Sequence, residues 1–81
     1  MTNEVILYTK EKCPLCDEAR ALLQVFQNTY HFEIVEKDIY KDDELLEKYQ
    51  ISIPVVEYKG VQLDGSEIDY MELRNLFDKM V

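Results

Sequence analysis

The sequence predicts an α/β domain of order βαβ, a short helix, ββ and α, with a four-stranded mixed sheet flanked by helices. Three observations carry that prediction: the unbroken apolar run Val5-Ile6-Leu7-Tyr8, a helical apolar stripe from Leu15 to Phe26, and two apolar segments either side of Lys59-Gly60. A chain of 81 residues, 47% of them apolar, has room for one core, so residues 1–81 are read as a single domain.

Val5 to Tyr8 suits a strand covered on both faces. Thr9 to Lys12 is a polar connection, after which Cys13-Pro14 opens a helix. Pro14 fits the first helical position, where the missing N–H would have no partner. Leu15, Ala19, Leu22, Leu23 and Phe26 recur at helical spacing, and Asn28 and Thr29 are the expected stop. Phe32 to Ile39 reads as a second strand.

Asp42-Asp43-Glu44 places acids at the start of a short helix carrying Leu45, Leu46 and Tyr49. Ile53 to Tyr58, Lys59-Gly60 and Val61 to Leu63 read as a hairpin. Ser66-x-x-Asp69 resembles a capping box opening a last helix with Ile68, Met71, Leu73, Leu76 and Phe77.

Nine basic residues against seventeen acidic ones give a formal net charge of −8, which argues against nucleic acid or an anionic membrane surface as partner. No apolar run approaches the ~18 residues of a membrane span. The opening Met-Thr-Asn-Glu lacks the basic start of a secretory signal. A cytoplasmic location is therefore expected, and a monomer.

Only two cysteines are present, Cys13 and Cys16. A bridge between them closes a tiny loop and removes little entropy from the unfolded chain, so it is a poor staple. A Cys-x-x-Cys pair that follows a strand and opens a helix inside a βαβ pattern points instead to redox chemistry. First-turn N–H groups and the helix dipole favour a thiolate at Cys13, with Cys16 one turn on along the same face. Lys10 and Lys12 add positive charge, and Glu11 and Asp17 offset it. A zinc site would need two further ligands, and His31 lies at the far end of the first helix. No metal is expected in the chain itself. Two chains sharing a zinc ion or iron–sulfur cluster through their Cys pairs is the alternative from another class.

Ser52-Ile53-Pro54 precedes the third strand, and Pro at a strand start is ordinary. The order Tyr-Thr-Lys-x-x-Cys-Pro-x-Cys, then Ser-Ile-Pro-x-Val, a glycine turn and Asp64-Gly65-Ser66 resembles glutaredoxins over nearly the whole chain. The short bacterial glutaredoxin-like proteins are the nearest type. The resemblance implies a thioredoxin-like fold of glutaredoxin type and a cis peptide before Pro54, facing the active thiol. It implies that Ile53 offers backbone groups to a bound peptide or glutathione, and that Lys10 meets a glutathione carboxylate. Leu15, Ser52, Gly65 and Ser66 then border that site.

Three positions differ from the family pattern. Leu15 replaces an aromatic residue, Asp64 replaces the first glycine of a pair, and Ile51 stands where Arg or Gln is frequent. The Asp64 carboxylate predicts weak coupling to glutathione.

The reading is a thiol–disulfide oxidoreductase in which Cys13 attacks and Cys16 resolves. Its partners are disulfide-bearing proteins. Its electrons come from glutathione as co-substrate or from a reductase of the thioredoxin-reductase type, and no resident cofactor is required.

Overall fold

The computed structural model describes residues 3–80, so the ends of the 1–81 domain lie outside the described residues. β1 (Glu4–Thr9) is followed by α1 (Pro14–Tyr30), β2 (Glu33–Asp38), a single 3-10 turn (Ile39–Lys41) and α2 (Asp43–Tyr49). β3 (Val55–Tyr58), β4 (Val61–Leu63) and α3 (Tyr70–Met80) complete the chain. The four strands lie in the order β2-β1-β3-β4. β1 runs parallel to β2 and antiparallel to β3, and β3 runs antiparallel to β4. The mixed sheet expected from the sequence is the sheet observed.

Strand side chains alternate between faces, and here both faces are covered. Val5 and Leu7 of β1 and Val56 and Tyr58 of β3 join Ala19, Leu23, Phe26, Leu73, Leu76 and Phe77 under α1 and α3. Ile6, Tyr8 and Val55 face the other way, against Ile39, Leu45, Leu46 and Tyr49. This is why β1 has no polar alternation. Phe77 anchors the larger core, with its ring 4.9 Å from Phe32, 5.2 Å from Tyr58 and 5.5 Å from Phe26, between centroids.

The hairpin turn places Lys59 at φ 49° and Gly60 at φ 84°. Two positive φ angles in a two-residue turn match the twist of the flanking strands.

β3 starts at Val55, after the Ile53-Pro54 peptide, rather than at Ile53, and three further boundaries differ from expectation. α1 runs past Asn28 and Thr29 and stops at Tyr30, where His31 turns left-handed (φ 52°) and its N–H donates to the Gln27 carbonyl at 3.2 Å. Tyr30 gains from continuing: its hydroxyl donates to Asp78 and its ring stacks on Phe77, tying α1 to α3. β2 ends at Asp38, whose carboxylate accepts the Tyr40 N–H and starts the 3-10 turn. α3 begins at Tyr70 under an Asp69 cap, with the Glu72 N–H donating to Asp69 Oδ1 at 2.8 Å, so Ser66 is not its cap. Ile68 thereby falls in the approach to α3, packed on the core, and Met71 is exposed.

Register fixes what meets at one end of the sheet. Thr9 is opposite Asp38, and Tyr8 is opposite Val55. The segment after β1 and the segment before β3 therefore emerge at the same edge.

Candidate active site

At that edge Lys12 adopts φ 54° and turns the chain so that Cys13 caps α1 in an extended conformation, φ −118° and ψ 100°. Pro14 takes the first helical position, as its ring favours. The Cys13 Sγ accepts the backbone N–H of Cys16 at 3.1 Å, and the Cys13 carbonyl accepts the N–H of Asp17 at 3.0 Å. Cys13 and Cys16 form a disulfide across a Cα–Cα distance of 5.2 Å. Cys13 is 7% exposed and Cys16 0%, so only Cys13 meets solvent. An N–H aimed at the sulfur and the positive end of a 17-residue helix both stabilise negative charge there.

Asp17 acts less directly than the sequence suggests. Its carboxylate accepts from Arg20 at 2.7 Å, and the other arm of Arg20 reaches Glu36 of β2 at 2.6 Å. The hydrogen bond to Glu36, then that to Asp17, holds the guanidinium more firmly protonated than usual. Arg20 thus offsets two carboxylates near the first turn of α1. Sequence reasoning missed it because Glu36 lies 16 residues away.

The peptide bond between Ile53 and Pro54 is cis, and Pro54 is buried. The Ser52 and Ile53 N–H groups both donate to the Tyr49 carbonyl, at 2.9 and 3.1 Å. Of the backbone groups of Ile53, the N–H is thus engaged within the chain, at the end of α2.

Gly65 donates its N–H to the Ser52 carbonyl at 3.0 Å. A Cβ there would stand 3.1 Å from the Ile53 oxygen and 3.2 Å from Pro54 Cδ, so a side chain would crowd the close approach of the two segments.

Leu15, Ser52, Ile53, Gly65 and Ser66 line one cleft of about 400 Å³, together with Ile51 and Asp64. Pro54 lies behind it, against Gly65. Lys10 is elsewhere: with Glu11, Lys12, Asp38, Tyr40 and Lys41 it borders a separate cleft of about 540 Å³.

Asp64, one of the positions that differ from the family pattern, is a member of the cleft. Its Oδ1 accepts the Ser66 hydroxyl at 2.7 Å and the Ser66 N–H at 2.9 Å, while Glu67 Oε1 accepts the Asp64 N–H at 3.2 Å. This is a reciprocal capping turn, legible in hindsight as Asp64-x-x-Glu67. The Ser66 hydroxyl, then its N–H, holds the Asp64 carboxyl below the usual carboxylate range, so it stays ionised.

His31 is exposed at the far end of α1. Among the described residues, no group of three or more His, Cys, Asp or Glu side chains is placed to hold a metal ion. No helix among them is long and apolar enough to cross a membrane.

Residues 4–78 match the family described as Glutaredoxin-like domain (DUF836). A structural-genomics target protein from X. campestris superposes with a TM-score of 0.79 at 28% identity, over 93% of this chain and 96% of that one. A protein from Nitrosomonas europaea gives 0.78 at 24% identity, over 94% and 92%. The oxidised thioredoxin from Plasmodium falciparum gives 0.67 at 23% identity, over 95% and 79%, and shares the fold. The four-stranded mixed sheet with its helices is thus thioredoxin-like.

Proposed function

The chain belongs to the glutaredoxin-like family of the thioredoxin-fold superfamily, and from that membership we propose that it reduces protein or small-molecule disulfides by dithiol exchange through Cys13-Pro14-Leu15-Cys16. The observation that carries the proposal is the Cys16 N–H held on the Cys13 sulfur at a helix N-terminus, with the second sulfur buried behind it.

In the reduced protein the Cys13 thiolate attacks one sulfur of a substrate disulfide. The new S–S bond joins Cys13 to substrate, and the other substrate sulfur leaves with the electron pair and takes up a proton. The Cys16 thiol gives up its proton and attacks Cys13 Sγ. That breaks the mixed disulfide, releases the second substrate thiol and leaves the Cys13–Cys16 bond. Two electrons have moved from the dithiol to the substrate, and an external thiol or reductase must return them. The fold supplies position and acidity, and no resident cofactor enters the scheme. We place the reaction in the reducing cytoplasm, with the protein as a monomer acting on protein disulfides.

The test is reduction of insulin disulfides with electrons supplied either by glutathione and its reductase or by a thioredoxin reductase. Turnover with at least one donor is expected. Failure with both, and with dithiothreitol as donor, would overturn the proposal.

A further inference from the structure

Along the side of the cleft formed by residues 64–68, the polar groups are mostly engaged within the chain. The Ser66 hydroxyl and N–H both donate to Asp64 Oδ1, the Glu67 and Ile68 N–H groups donate to the Asp64 carbonyl, and the Gly65 N–H donates to Ser52. An anion entering here meets donors already engaged, and meets a carboxylate as well. What the cleft still offers is aliphatic surface, with Leu15 59% and Ile51 94% exposed, the Ser52 hydroxyl and the negative charge of Asp64. Asp64 is the one charged residue among those lining it. The lysines of the loop before Cys13 border the other cleft, together with Glu11 and Asp38.

We propose that Asp64 sets substrate choice, so that the cleft accepts disulfides in polypeptide segments bearing a cationic side chain beside the cysteine and disfavours anionic thiols. This rests on the redox reading given above. Leu15 lies between the two cysteines and lines the cleft. In the proposed complex, a residue flanking the sulfur under attack by Cys13 passes Leu15 and enters the cleft beside Ile51, Ile53 and Asp64. A lysine or arginine there finds both an aliphatic wall for its stem and a carboxylate for its head. Glutathione carries two carboxylates and one ammonium, and is disfavoured by the same group. The low acidity threshold of Asp64 keeps the preference intact in mildly acid solution.

The experiment compares two probes, the tripeptides Lys-Cys-Lys and Glu-Cys-Glu, each blocked at both ends and joined through cysteine to thionitrobenzoate. Attack by reduced protein forms the bond between Cys13 and the peptide sulfur. It breaks the probe's S–S bond and releases coloured thionitrobenzoate with the electron pair. At low salt the basic probe should react about five- to tenfold faster. Asp64→Asn should cut that ratio about threefold or more, while Asp64→Glu preserves it. Glu33→Gln removes the same charge at the opposite end of the sheet and should leave the ratio nearly unchanged.

An unchanged ratio in Asp64→Asn, or an equal fall in Glu33→Gln, overturns Asp64 as the determinant. Equal rates on both probes overturn the substrate class while leaving dithiol exchange standing. Failure to attack either probe overturns the redox reading itself.

Discussion

The backbone N–H of Cys16 donates to the sulfur of Cys13 at 3.1 Å, so the residue that resolves the exchange also supports the one that starts it. The donor is main chain and survives any side-chain replacement at position 16. The thiolate of Cys13 should therefore persist in Cys16→Ser at a pH below the ~8.5 of a free thiol. Ultraviolet absorbance of the thiolate followed against pH reads this directly. A midpoint at or above the free-thiol value means that the cap does not act on the sulfur.

Arg20 holds Asp17 and Glu36 together from a half-buried position. In Arg20→Met, the Asp17 charge, one residue beyond Cys16, is left uncompensated. Alkylation of Cys13 at neutral pH, measured in the Cys16→Ser background, should slow about twofold. Stability should change by about 1 kcal/mol or less, because such pairs are well solvated. A large loss of stability with unaltered alkylation would make Arg20 a structural clamp only.

The two glycines should fail differently. Gly60 has φ 84° and open space around it, so Gly60→Ala costs about 1–2 kcal/mol of backbone strain and leaves disulfide reduction alone. Gly65→Ala drives a methyl group to 3.1 Å from the Ile53 oxygen and should cost about 1–3 kcal/mol while pushing Ile53-Pro54 out of place. Denaturant midpoints paired with insulin reduction separate them. Equal activity in both variants would show that the Gly65 contact does not shape the cleft.

Most of this fold could be read from the chain because the strong signals are local. The run Val5 to Tyr8 is buried on both faces, and Lys59-Gly60 supplies the turn that its hairpin needs. The misplaced boundaries have separate physical origins. Asp64, Glu67, Ser66 and Asp69 offer overlapping caps within six residues, and Asp64-x-x-Glu67 and Asp69-x-x-Glu72 are the two that form. The end of α1 depends on Tyr30 reaching Asp78 and Phe77, a contact between residues nearly fifty apart that periodicity does not encode.

At the site, Cys13 and Cys16 were readable because a helix cap is a neighbour effect. The separation of Lys10 from the Leu15 cleft was not readable, since it depends on how three segments meet at the sheet edge. Nor was the inward turn of the Ile53 N–H, which follows from the way α2 ends on the Tyr49 carbonyl.

Tyr8 stacks on Tyr49 with ring centroids 4.4 Å apart. Burial, then the Glu57 charge, then Tyr49, pushes its hydroxyl up to about 12 from 10.0. The folded state therefore holds the Tyr8 proton more tightly than the unfolded state. That contribution is complete below pH 10.0 and is lost as the pH rises through about 12. Tyrosinate absorbance should show a late-titrating phase that shrinks in Tyr8→Phe, leaving the part due to Tyr30, whose hydroxyl is also raised by its bond to Asp78, and alkaline unfolding of that variant should begin at higher pH. A titration curve identical to that of the unaltered protein would contradict the assignment.

The most direct test of dithiol exchange is to trap its intermediate. Reduced Cys16→Ser, mixed with a disulfide-bearing protein such as insulin, should accumulate a one-to-one covalent adduct. Mass spectrometry should map that adduct to Cys13, and dithiothreitol should dissolve it. Reduced Cys13→Ser should form no comparable adduct and should not turn over. Turnover by Cys13→Ser at a rate near that of the unaltered protein, or an adduct mapped to Cys16 in it as readily as to Cys13 in Cys16→Ser, would contradict the account.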